Sequence, residues 1–133
     1  LMKALQKELG MAILFITHDL GTVAKMCDKV AVMYLGRIVE YGDVRDIYKN
    51  PQHPYTRGLM GSVHKIGTRK LDRLFSIEGT VPLALNLKPG CGFYDRCLER
   101  QAGVCDQQEP DLTDMGGGHC AACYRCRKGG ESA

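Results

Sequence analysis

Six cysteines crowd the last third of this 133-residue chain: Cys91, Cys97, Cys105, Cys120, Cys123 and Cys126. Thiols gathered this way form a disulfide framework, a metal site or a mixture of the two. Stable disulfides need an oxidising compartment, and no secretory signal is visible here. Unligated burial is also disfavoured, because the sequence around the sulfurs is too polar and glycine-rich to cover six of them. Metal binding is the favoured chemistry, with zinc and iron–sulfur as the choices, since both take thiolates converging from several directions. Structural zinc sites usually show two close cysteine pairs. Only Cys120-x2-Cys123-x2-Cys126 has such spacing, whereas Cys91-x5-Cys97-x7-Cys105 is wider and irregular. That width suits a cluster wrapped by a loop better than a zinc knuckle. His119 is a candidate fourth ligand in a Cys3His zinc site, with an exposed or supporting role favoured over it. Arg96, Arg125 and Arg127 carry positive charge suited to a negatively charged cluster, and equally to a solvated surface.

His18 is the second candidate. It follows Met11-Ala12-Ile13-Leu14-Phe15-Ile16-Thr17, an apolar run that does not alternate and so reads as a central strand buried on both faces. Ligands of open α/β sheets bind beyond the carboxyl ends of such strands. An imidazole there can bond a phosphate oxygen or hold a water for in-line attack. From place alone, a histidine satisfied within its own turn is the favoured reading.

The elements around these residues follow from periodicity and punctuation. Leu1, Leu5 and Leu9 mark one face of a helix that Gly10 can end. Asp19 can cap a short helix over residues 20–27, on which Leu20, Val23, Ala24 and Cys27 share a face and Cys27 acts as a small buried hydrophobe. Residues 29–34 and 37–42 read as two strands joined by a tight Leu35-Gly36 turn. Asp43 caps a further helix to Tyr48. Pro54 suits the first turn of another over about 55–64, where its missing amide hydrogen is not needed. His53-Pro54-Tyr55 is then a helix start in which Tyr55 packs sideways. A short helix or strand is expected over 69–75, and from Glu78 onward regular periodicity disappears.

Composition excludes several classes. Hydrophobic residues at 44% and charged residues at 25% fit a soluble globular chain, not a disordered or fibrous one. A net charge of +3, no Trp and few interleaved aromatics make a poor nucleic-acid binder. No apolar run reaches the roughly 18 residues of a membrane span. Because Leu1 stands inside a helical pattern, the stretch is expected to begin within a longer domain.

Five segments carry a family resemblance. Ile13-Leu14-Phe15-Ile16-Thr17-His18-Asp19-Leu20, followed by Asp28-Lys29-Val30-Ala31-Val32-Met33-Tyr34-Leu35-Gly36-Arg37-Ile38-Val39-Glu40-Tyr41-Gly42, resembles the switch-histidine loop and next strand pair of ATP-binding-cassette (ABC) ATPase subunits. Asn50-Pro51-Gln52-His53-Pro54-Tyr55-Thr56 is similar to the "N-P-x-H-P-Y-T" segment of the subfamily serving oligopeptide and dipeptide importers, as are Glu78-Gly79-Thr80-Val81-Pro82 and Pro89-Gly90-Cys91-Gly92-Phe93-Tyr94-Asp95-Arg96-Cys97. The resemblance implies an α/β fold: the C-terminal portion of a P-loop NTPase (ABC ATPase) domain over residues 1–50, then an irregular Cys-rich C-terminal extension over 51–133. It implies that His18 contacts the γ-phosphate and the attacking water. It also implies a [4Fe–4S] cluster held by Cys91, Cys97, Cys105 and Cys123, with zinc as the alternative metal. Cys120 and Cys126 depart from the family's four-cysteine pattern, and either could substitute as the fourth ligand.

Further implications concern the whole subunit: ATP and Mg as its cofactors, a second ATPase subunit and transmembrane permease subunits as its partners, and a cytoplasmic place peripheral to the cell membrane. The 133 residues contain neither a G-x-x-x-x-G-K-[ST] loop nor a Leu-Ser-Gly-Gly-Gln signature. This stretch alone is therefore expected not to hydrolyse ATP. A free-standing metal-binding module is the competing function.

Overall fold

The computed structural model describes residues 1–63 and 77–126. The segment anticipated over 69–75, together with Arg127, lies outside them.

Helix α1, Met2–Leu9, ends where expected: Gly10 takes φ 62°, a left-handed conformation that glycine enters without a steric penalty. The run after it departs from expectation. Residues 11–17 form no strand, and Leu14 and Ile16 are 88% and 91% exposed. A buried central strand exists only with neighbours on both edges, and no described strand pairs with this run. Helix α2, Leu20–Met26, begins on the anticipated cap, with the amides of Gly21 and Thr22 donating to Asp19 at 2.9 and 3.3 Å. Its face is only partly covered, so Val23 is buried while Cys27 is half-buried.

Strands β1, Lys29–Tyr34, and β2, Arg37–Asp43, pair antiparallel. Leu35 and Gly36 both take positive φ, 48° and 76°, the hairpin-turn geometry whose twist matches that of the strands. A leucine is strained there, and its packing against the core offsets the strain. Helix α3, Val44–Lys49, follows without the expected side-chain cap. Instead Asp43 lies 3.9 Å from Lys29, and the Val44 amide donates to the Asp28 carbonyl.

Helix α4, Pro54–Ser62, starts on its proline, and the amide of Tyr55 donates to His53 Nδ1 at 3.1 Å. It lies tight against Ile77, so a Cβ at Gly58 would come within 2.5 Å of that side chain. The extension is not wholly irregular. It contributes two short strands, β3 (Thr113–Asp114) and β4 (Cys120–Ala121), and the sheet order is β1-β2-β4-β3. A hydrophobic core links the hairpin to the extension, joining Val32, Tyr34, Val39 and Ile47 to Phe93 and Cys97. Tyr34, Tyr55 and Phe93 form its aromatic centre, with ring centroids 4.7 to 5.5 Å apart.

Candidate functional site

Cys91, Cys97, Cys105 and Cys123 all line one cavity, with His53, Phe93 and Pro110 among its other walls. Each thiol arrives by a different local device. The Cys91 amide donates to the Cys105 carbonyl at 2.7 Å, which ties the first and third cysteines together across a wide loop. That approach requires Gly90: its φ is 97°, and a Cβ there would stand 2.5 Å from the Cys105 carbonyl oxygen. Cys97 follows a 3₁₀ turn, Tyr94–Arg96, whose start is fixed by the Tyr94 amide donating to the Cys91 carbonyl. Arg96 braces this turn from outside. Its guanidinium donates to the carbonyls of Ile77, Glu78 and Gly79 at 3.0 to 3.2 Å and to the Tyr34 hydroxyl at 3.3 Å.

Cys123 is delivered by the sheet. Strand β4 pairs Glu40 with Ala121 and Tyr41 with Cys120, and the Ala122 amide donates to the Val39 carbonyl at 2.8 Å. The next residue is the fourth wall cysteine. Cys120 and Cys126 are not among the residues lining the cavity.

Beneath the cavity lies a polar hub that the sequence did not single out. Glu40 is fully buried in β2, and its two oxygens accept from the amides of Gln52 and His53 at 2.7 and 2.8 Å. His119 Nε2 lies 2.6 Å from Glu40 Oε1, so this histidine engages the hub. A buried carboxyl group is tolerable only when paired in this way. The available signal was a charged residue in the middle of a strand whose flanking positions are apolar. What hid it is distance, because its partners come from two separate segments, residues 52–53 and residue 119. His53 is almost fully buried, and burial pushes its pKa down to about 4, against the pull of Glu40.

Burial likewise pushes the Cys91 thiol up to about 11 and raises Cys97. Cys123 is shifted the other way and Cys126 is raised, because the two neighbouring thiols interact and the thiolate is favoured on Cys123. Cys126 also faces the Gln52 carbonyl at 3.1 Å.

The donor set on the cavity wall is four soft thiols, which fits thiolate-bound zinc or an iron–sulfur cluster. Among the described residues, no three His, Cys, Asp or Glu side chains stand close enough to hold a metal ion. His18 stands apart from all of this. It is exposed, and the adjacent Asp19 is occupied in capping α2. No described helix is long and apolar enough to cross a membrane.

Several known proteins are similar in sequence to this chain. A probable peptide ABC transporter ATP-binding protein of Sinorhizobium fredii is 46% identical over 121 residues, covering 91% of this chain and 36% of that protein. The dipeptide transport ATP-binding protein of Escherichia coli is 43% identical over 93% of this chain and 36% of its own length. An oligopeptide transport ATP-binding protein of Mycobacterium bovis is also 43% identical, over 93% of this chain and 20% of its own. The chain thus spans between a fifth and little more than a third of the length of these relatives. Residues 39–105, half of the chain, match the model of the oligopeptide/dipeptide transporter C-terminal region. That span runs from the strand bearing Glu40 to the third wall cysteine, and the chain belongs to the oligopeptide/dipeptide transporter C-terminal-region family.

Proposed function

We propose that this chain is the C-terminal part of the ATP-binding subunit of a dipeptide or oligopeptide ABC importer, and that Cys91, Cys97, Cys105 and Cys123 hold a [4Fe–4S] cluster. The observation that supports the cluster reading is that these four cysteines, and no other, line one cavity, although no three of them yet stand close enough to hold a metal ion. The transport reading rests on the relatives, whose names are those of peptide-transport ATP-binding proteins. In the intact subunit ATP and Mg would bind through parts that these residues do not contain. His18 would contact the γ-phosphate and position the attacking water. Such a subunit would sit at the cytoplasmic face of the membrane, working with a second ATPase subunit and with transmembrane permeases.

Bound at this wall, a cluster would cross-link four backbone positions and add one-electron redox capacity. The protein's own part is to present the thiols and shield them. Gly90 lets the backbone close, Phe93 and Pro110 would exclude water, and Arg125 lines the cavity 4.0 Å from Glu99 on the same wall. A structural role is the reading adopted here, because the cavity shares Phe93 and Cys97 with the core.

Anaerobic purification followed by iron, sulfide and zinc analysis, with a visible spectrum, tests the cluster reading. The expected result is iron with acid-labile sulfide and a broad visible absorption, lost on Cys→Ser change at any of the four wall positions and kept in Cys120→Ser. Colourless protein, whether zinc-loaded or metal-free, would overturn it. For the transport reading, His18→Ala in the intact subunit should abolish ATP hydrolysis, and retained turnover would refute the role given to His18.

A further inference from the structure

Cys126 has no place on the cavity wall, yet the fold holds it against a cysteine that does. Cys123 and Cys126 bracket a 3₁₀ turn, Tyr124–Cys126, closed by the Cys126 amide donating to the Cys123 carbonyl at 3.2 Å. At about 2.0 Å of rise per residue, such a turn spaces residues three apart by roughly 6 Å. This falls inside the range of about 4.4–6.8 Å between Cα atoms that a disulfide requires. Neither cysteine is fully buried, and both are free thiols. The bond from the Cys126 thiol to the Gln52 carbonyl fixes the second sulfur in place.

Sequence spacing alone does not produce this. Cys120 stands at the same separation from Cys123, but it lies in β4. The chain leaves Cys120 extended, and no turn hydrogen bond like that of Cys126 to Cys123 is found between Cys123 and Cys120 among the described residues. Of two equal spacings, the backbone closes one.

We propose that Cys123 and Cys126 are a reversible thiol–disulfide site that withdraws the fourth wall thiol from the cysteine cavity. The function given to that withdrawal rests on the cluster reading above; the disulfide itself does not. The oxidant is a low-molecular-weight disulfide of the glutathione class. The thiolate of one cysteine attacks a sulfur of that molecule, forming a mixed disulfide and expelling one small thiolate. The neighbouring cysteine then loses its proton and attacks the protein sulfur of the mixed disulfide, expelling the second. Two cysteine thiols give up two electrons and two protons, and one small disulfide becomes two thiols. With its sulfur bonded to Cys126, Cys123 has no thiolate to offer a metal.

The test uses the full chain, reduced and then equilibrated anaerobically with glutathione buffers of increasing oxidised fraction, followed by alkylation and cleavage after Arg125. The two flanking peptides should become disulfide-linked, with Cys123 and Cys126 losing alkylation together and before the other cysteines. Reductant should restore both. In Cys126→Ser, Cys123 should stay alkylatable at the same poise. Pairing of Cys126 with any other cysteine, or its persistence as a thiol after the others have oxidised, would overturn the site.

Iron and sulfide uptake provides the second arm. Reduced wild type and reduced Cys126→Ser should take up equal iron, whereas pre-oxidised wild type should take up none until reduced. Loss of uptake in reduced Cys126→Ser would make Cys126 a ligand and overturn the proposal. Uptake absent even from reduced wild type would overturn the cluster reading and the withdrawal with it, and the peptide linkage would still decide the disulfide.

Discussion

Two candidate sites sit in one chain and differ in what they can do with the residues present. Around Glu40 and the four wall cysteines, every device needed to position a side chain comes from within the described residues. Strand β4 returns to β2, Gly90 lets two loops touch, and His53 caps its own helix. Around His18 nothing comparable is found among the described residues. The apolar run before it is unpaired and exposed, and the residue itself faces solvent. Residue type and spacing mark both places as chemical. Only one of them is assembled by its own surroundings, and burial is the difference.

The sharpest way to break that contrast is Glu40→Ala. It strands two buried amides and His119, and loss of one partner from a buried charged network costs about 3–5 kcal/mol. Denaturant unfolding should show a loss of that size; a change below about 1 kcal/mol would mean the hub is solvated and the contrast false.

Acid should act on the same hub. His53 has a pKa of about 4 in the fold against an ordinary value of 6.5, so between those values the unfolded chain binds a proton that the folded chain refuses. Stability is therefore full above about pH 6.5 and falls with decreasing pH toward 4, by up to about 1.4 kcal/mol per pH unit from this residue. His53→Asn keeps an acceptor for the Tyr55 amide but does not titrate, so its unfolding free energy should fall less steeply across that window. Equal slopes in the two proteins would remove His53 from the account.

Thr56 provides a smaller test of opposite sign. Its side chain is fully buried and its hydroxyl has no hydrogen-bond partner among the described residues. Thr56→Val replaces that hydroxyl with a methyl of similar shape and should stabilise the chain by about 1 kcal/mol. Destabilisation of that size would reveal a partner for the hydroxyl. The smallest effect belongs to the other region: His18→Ala should leave the unfolding free energy of this chain within about 0.5 kcal/mol of wild type. A larger loss would show that His18 is held by the fold after all.

What could be read from the sequence follows the same division. Local devices were legible: Gly10 as a stop, Asp19 as a cap, the Leu35-Gly36 turn, and Pro54 opening a helix. Each needs only near neighbours in the chain. Glu40 was not legible, because its partners lie 12, 13 and 79 residues away and a charged residue in a strand ordinarily faces water. Strand β4 was equally hidden, being two residues long with no period to detect. Asp43 shows the converse error, a residue of the right type for a cap whose side chain makes no capping bond. Residues 11–17 show another: an apolar run specifies a buried strand only where partner strands exist.

Amide hydrogen exchange across the chain tests the central contrast most directly. Amides of residues 11–18 should exchange at nearly unprotected rates, while those of β2, Gln52, His53 and Cys91 should be protected together and open only with the hub. Protection over residues 11–18 equal to that of β2, or early exchange at His53 and Cys91, would contradict the account.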